Sequence, residues 1–117
     1  MKTILIVEDI DLNIDLLTQI LEDDYNLLVA KDGEQGVTLT RRDSPDLVLM
    51  EISLPILDGY EAARQIRSLY PLLPIIGLSA HAMQGDVEKA IAAGCNDYLT
   101  KPVDEDLLLK LIKKHLG

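Results

Sequence analysis

Five short apolar runs punctuate the chain: TILIV at 3 to 7, NLLVA at 26 to 30, DLVLM at 46 to 50, PIIGLS at 74 to 79 and DYLT at 97 to 100. Each has strand length and is mostly β-branched or leucine-rich. Longer segments of helical period separate them. Leu12, Leu16, Leu17, Ile20 and Leu21 mark one amphipathic face, Ala63, Ile66 and Tyr70 a second, and Met83, Val87, Ala90 and Ile91 a third. Asp32 before Gly33-Glu34 and Asp104 before Glu105-Asp106 read as helix N-terminal acids, which cap free N–H groups and suit the helix dipole. The first four runs are nearly continuous rather than alternating, as strands covered by helices on both faces must be. A βα unit repeated five times predicts an α/β protein with a doubly wound five-stranded parallel sheet. The connections are short and rich in Gly, Pro or Asp, and neither a repeat nor a linker interrupts them. Residues 1–117 therefore read as a single domain ending on a helix from about 104 to 116.

Composition narrows the function. A length of 117 residues suits one hydrophobic core, and 48% apolar with 26% charged residues is the balance of a chain that packs. The 11 basic against 20 acidic side chains, a formal charge of -9, disfavour nucleic-acid or anionic-membrane binding through phosphate attraction. The first apolar run is too short for a secretion signal or a membrane span, so a cytoplasmic location is expected. Cys95 is the only cysteine, which rules out an intrachain disulfide and fits a small packing residue. His81 and His115 lack metal-ligand spacing.

Open parallel sheets work in the crevice outside the carboxyl ends of their strands. The residues that follow the runs are Glu8 and Asp9 after the first, Glu51 after the third, Ser79 closing the fourth, and Lys101-Pro102 after the fifth. Three carboxylates gathered there repel one another unless a cation or raised pKa values relieve them. A hard divalent ion such as Mg2+, which favours carboxylate, carbonyl and water oxygens, is the natural occupant.

Taken in order, Glu8-Asp9, the stretch DLVLMEISLPILDG with Glu51, Pro55 and Gly59, Ser79-Ala80 and Lys101-Pro102 resemble the receiver domain of two-component response regulators. The likeness spans essentially the whole chain. It implies a CheY-like, flavodoxin-like sheet of order 2-1-3-4-5, no output domain, and a protein-contact signalling module rather than an enzyme. It further implies a phosphorelay in which the carboxylate ending strand three attacks a phosphohistidine on a histidine kinase or histidine phosphotransfer protein, with Mg2+ neutralising the developing charge. Matched residue by residue, Asp9 is a direct metal ligand and Glu8 a ligand through water. Glu51 stands at the phosphoacceptor and metal position, and the carbonyl of Ser53 is a further oxygen donor. Ser79 hydrogen-bonds one phosphoryl oxygen, Lys101 pairs with another, and Tyr98 is the aromatic whose rotamer follows the state of the site. The Lys101-Pro102 bond is expected to be cis. Output to an effector is expected through the face of helix 4, strand 5 and helix 5, from a monomer or weak dimer.

The family's acceptor is Asp, and Glu51 departs from it. One extra methylene carries the carboxylate about 1.5 Å further from the backbone, toward space that a phosphoryl group on Asp would fill. Two outcomes are open. Glu51 imitates the phosphorylated state by engaging Ser79 and Lys101, or it only salt-bridges Lys101 and leaves the switch at rest. An enzyme alternative starts from Asp9-Ile10-Asp11, which resembles the DxD nucleophile motif of haloacid-dehalogenase-type phosphatases, although Asn13 stands where that motif has Thr or Val. A flavin-binding domain would need a phosphate-cradling loop after strand one, which is missing from the sequence. Simpler roles exist for each residue: solvated acids at a helix start for Glu8 and Asp9, a surface amine for Lys101, a turn serine for Ser79 and a packed strand aromatic for Tyr98. His81, two residues beyond Ser79 and near the mouth of the site, reads first as a surface histidine. The last helix, with Leu107, Leu108, Leu109, Leu111, Ile112 and Leu116, reads mostly as core, the alternative being that an edge such as Leu109 belongs to a partner surface.

Overall fold

The computed structural model describes residues 1–80 and 85–117. Strands β1 (Thr3–Val7), β2 (Asn26–Ala30), β3 (Leu47–Glu51), β4 (Ile75–Ser79) and β5 (Asp97–Thr100) form one parallel sheet of order β2-β1-β3-β4-β5. Helices α1 (Asp11–Leu21), α2 (Gly33–Asp43), α3 (Gly59–Leu69), α4 (Asp86–Ala92) and α5 (Glu105–Leu116) alternate with the strands. Successive residues of a strand point to opposite faces, so each central strand feeds two cores. Leu5, Val7, Val48, Met50 and Ile75 pack under α2, α3 and α4; Ile4, Ile6, Leu47, Leu49, Ile76 and Leu78 pack under α1 and α5. The doubly wound sheet is as the apolar runs require.

The differences are local. β3 starts one residue later than the sequence run, and the Asp46 carboxylate just before it accepts from the backbone N–H of Thr3 at 2.8 Å. At its other end Glu51 is the last residue of the strand itself. β2 is an edge strand, and Asn26 and Val29 are exposed on it instead of covered. In α1 the buried face is Ile14, Leu17 and Leu21, whereas Leu12 and Leu16 face solvent. The apolar arc of the helix is wider than one buried stripe needs, so periodicity alone did not select the inward residues. Of the third face, Ala90 is buried and Val87 and Ile91 are half exposed, while Met83 and His81 lie outside the described residues. In α5 it is Leu107 that is exposed, while Leu109 packs on the core.

Caps hold the helix starts at the sheet's carboxyl edge. Asp32, Asp58 and Asp104 accept from the N–H groups of Gln35, Glu61 and Leu107 at 2.7, 2.9 and 3.0 Å. At the opposite edge Arg67 ties α3 to the loop before β5. Its guanidinium donates to the carbonyls of Gly94, Tyr70 and Pro71 and to Oδ1 of Asn96, at 2.7 to 3.0 Å. Cys95 beside this loop is buried, and burial pushes its thiol up to about 11. Among the described residues no helix is long and apolar enough to cross a membrane.

Candidate functional site

The site is assembled by three strand ends. β1 delivers Glu8, whose N–H is held by the carbonyl of Ala30 at 2.9 Å and whose side chain is fully buried. β3 delivers Glu51, 5% exposed. β5 delivers Lys101, whose backbone N–H donates to the carbonyl of Ser79 at 2.7 Å and which precedes Pro102 through a cis peptide bond, as expected. Gly59 lets α3 start directly against β3, for a Cβ there would lie 2.2 Å from the carbonyl oxygen of Glu51.

Lys101 stands between the two buried acids. Its Nζ donates to Oε1 of Glu8 at 2.6 Å and lies 2.8 Å from Oε2 of Glu51. The second contact is an ion pair whose angle falls outside hydrogen-bond geometry, so that Oε2 is buried without a hydrogen-bond donor among the described residues. The remaining oxygens turn to the backbone: Oε2 of Glu8 accepts from Asp9 and Ile10 at 3.0 and 3.4 Å, and Oε1 of Glu51 accepts from Ser53 at 3.4 Å.

Burial is the largest influence on Glu51 and raises its pKa; attraction to Lys101 opposes this and the nearby Glu8 charge adds to it. For Lys101 burial acts downward, but its close contacts with and attraction to Glu51 and Glu8 together outweigh it, and the ammonium is held above its usual range. The two directions agree physically, since Lys101 faces two opposite charges whereas Glu51 faces one opposite and one like charge. A carboxyl whose folded pKa is raised contributes stability below its unfolded pKa of about 4.5 and loses it as pH rises through the folded value. Glu51→Gln, which imitates the protonated acid while leaving Lys101 its Glu8 partner, is therefore expected to stabilise the fold at neutral pH. The gain should be of order 1 kcal/mol and should vanish below about pH 4, as read by thermal melts across pH.

The other expected residues lie around this triad. Asp9 is exposed, and its N–H rather than its carboxylate is what contacts Glu8. Ser53 is exposed behind β3, and Ser79 is buried at the end of β4. Tyr98 is half buried on β5, its Cδ2 3.2 Å from where a Cβ on Gly77 would sit. Asp11 points away to an exposed ion pair with Lys31 at 2.6 Å. For a divalent ion the donor set as arranged does not fit: among the described residues no three acids, histidines or cysteines gather to hold a metal, and the buried carboxylates turn to Lys101. The sequence reading missed a cavity of about 100 Å3 beside Lys101, lined by Glu8, Asn13, Leu16, Leu17, Leu78, Pro102 and Val103. It also missed Gly77, which no motif marks; its sole signal is a glycine inside an apolar strand.

Solved proteins share this doubly wound parallel sheet. The profile of the response regulator receiver domain matches residues 4–113. The chain belongs to that family. The polar-differentiation response regulator DivK of Brucella ovis is 34% identical over 119 residues, covering 99% of this chain and 97% of its own. Among solved structures, the receiver domain of the sensor histidine kinase PA1611 from Pseudomonas aeruginosa PAO1 superimposes with a TM-score of 0.92 at 39% identity, covering 99% of this chain and 98% of that one. That crystal holds a magnesium ion in its active-site cleft. The receiver domain of Saccharomyces cerevisiae Ssk1, crystallised with the histidine phosphotransfer protein Ypd1, gives a TM-score of 0.91 at 35% identity, covering 97% of this chain and 88% of that one. Receiver domains act in two-component phosphorelay signalling, and the sheet order of this chain is theirs.

Proposed function

We propose that this receiver signals by protein contact, with its switch set by the Glu51-Lys101 ion pair instead of by phosphoryl transfer. The observation that carries the reading is the 2.8 Å approach of Glu51 Oε2 to Lys101 Nζ in a pocket where Glu51 is buried. This is the contact that the receiver resemblance assigns to a phosphoryl oxygen. The longer side chain also works against chemistry at residue 51. A displacement of about 1.5 Å removes the nucleophile from its in-line position, and misplacement on that scale costs roughly a hundredfold in rate.

The imitation is partial. A carboxylate is planar and carries one charge, whereas a phosphoryl group is tetrahedral and carries nearly two. Oε2 also lacks a hydrogen-bond donor among the described residues, so the hydroxyl contact expected from Ser79 is not made to that oxygen. In this reading the partners are a histidine kinase or histidine phosphotransfer protein and a downstream effector. The effector takes the face of α4, β5 and α5, where Val87, Ile91 and Leu107 leave apolar surface exposed. Mg2+ binds more weakly than in a receiver with Asp at this position.

Paired structures of this chain and of unphosphorylated Glu51→Asp test the setting of the switch. Ser79 and Tyr98 are expected to stand closer to the pocket and further inward in this chain than in the variant. Identical positions of both residues in the two proteins would mean that Glu51 leaves the receiver at rest.

A further inference from the structure

We infer that Lys101 is the resident cation of this pocket, occupying the place between Glu8 and Glu51 that a divalent ion needs and thereby closing the site to Mg2+. The inference deepens the proposed function and rests on its reading of Glu51. Three features carry it. The ammonium is 2.6 and 2.8 Å from oxygens of two acids that are 0% and 5% exposed, so it neutralises the carboxylates most costly to leave bare. The other oxygen of each acid already accepts from backbone N–H groups, which leaves no free edge turned to an incoming ion. The cavity beside the ammonium offers it no second acid among the described residues: apart from Glu8 it is lined by Leu16, Leu17, Leu78, Pro102 and Val103, with Asn13 as its neutral polar wall.

A divalent ion entering the pocket must therefore break both contacts of Lys101 and leave that charge uncompensated. In a receiver with the shorter Asp, the acceptor carboxylate ends about 1.5 Å nearer its own strand and reaches Lys101 less far. Glu51 is thus the residue that completes the closed triad, and Lys101 is the residue that excludes the ion. Both act through position and charge, without a chemical step.

Calorimetric titration of Mg2+ tests this on the unchanged chain, Lys101→Met, Lys101→Arg, and Lys101→Met combined with Glu8→Gln. Lys101→Met is expected to bind Mg2+ at least about tenfold more tightly than the unchanged chain, because two buried carboxylates then face the ion alone. Lys101→Arg, which keeps the charge, should stay as weak as the unchanged chain, and adding Glu8→Gln should remove the gain. Equal or weaker binding by Lys101→Met, or an equal gain in Lys101→Arg, would overturn the inference. Circular dichroism guards against loss of the fold: a Lys101→Met chain that folds only with Mg2+ supports the proposal, and one that stays unfolded at every Mg2+ concentration contradicts it. Glu51→Asp with Lys101 intact separates the two levels. If it binds Mg2+ no better than the unchanged chain, the reading of Glu51 fails, while the Lys101 variants still decide the role of the ammonium.

Discussion

Gly59→Ala is expected to lower the melting temperature by roughly 10 °C or more and to pull α3 away from the end of β3. A Cβ at this position would sit 2.2 Å from the carbonyl oxygen of Glu51, 2.6 Å from Cα of Ile52 and 2.9 Å from the carbonyl carbon of Glu51. All three atoms are backbone, so no rotamer change relieves the overlap. The same residue donates its N–H to the carbonyl of Ile52 at 2.9 Å, which fixes the turn that carries Pro55 and Asp58 back over the site. Relief must come from moving the helix start or the strand tip. Overpacking of this kind costs about 3 kcal/mol, and a domain of this size loses about 4 °C or more for each of them. The displacement falls on Glu51, so a calorimetric melt should be accompanied by loosening of its contact with Lys101. A melting temperature unchanged from that of the parent chain would mean that helix and strand are less tightly joined than the 2.2 Å approach requires.

Periodicity carried most of the architecture because the central strands are buried on both faces. Ile4 to Val7 and Leu47 to Met50 are fully buried, and a continuous apolar run is the direct consequence. The same rule misled at β2, whose leucines resemble those of β1 although Val29 is 37% exposed at the sheet edge. Edge and centre differ by what lies alongside, which no local pattern records. Leu12, Leu16 and Leu107 failed for a related reason: α1 and α5 carry more leucine than one buried stripe needs, and packing chooses among them.

The members of the site were legible because a parallel sheet sends every strand end to one edge. The meeting of Glu8, Glu51 and Lys101 at that edge follows from that geometry. Their pairing did not. Which carboxylate Lys101 reaches depends on side-chain direction at the sub-ångström level, and the 2.6 Å contact to Glu8 has no sequence signature. Arg67 was invisible for the opposite reason. Its acceptors are mostly backbone carbonyls of Gly94, Tyr70 and Pro71, brought to it by the fold and not by residue type.

The largest functional effect is expected from restoring the shorter acid. Glu51→Asp withdraws the carboxylate by about 1.5 Å from Lys101, which opens the ion triad and leaves the pocket free to take Mg2+ as the PA1611 receiver does. An oxygen placed for in-line attack then faces the phosphodonor, with Lys101 and Ser79 positioned near the transferred group. Phosphoryl transfer should rise by roughly a hundredfold or more over the parent chain. The effect depends on Mg2+, so a chelator should abolish it in the variant and change nothing in the parent. Ionisation adds a second difference. Burial raises the pKa of Glu51, so its ionised form is lost at a higher pH than that of an ordinary carboxylate as the pH falls.

The central claim is that this receiver is set by an ion pair and does not carry a phosphoryl group on residue 51. Incubation of the parent chain and Glu51→Asp with acetyl phosphate and Mg2+, followed by intact-mass measurement, tests it most directly. The expected result is one added phosphoryl group on Glu51→Asp and none on the parent. A stable phosphoryl group on Glu51 of the parent chain would contradict the account.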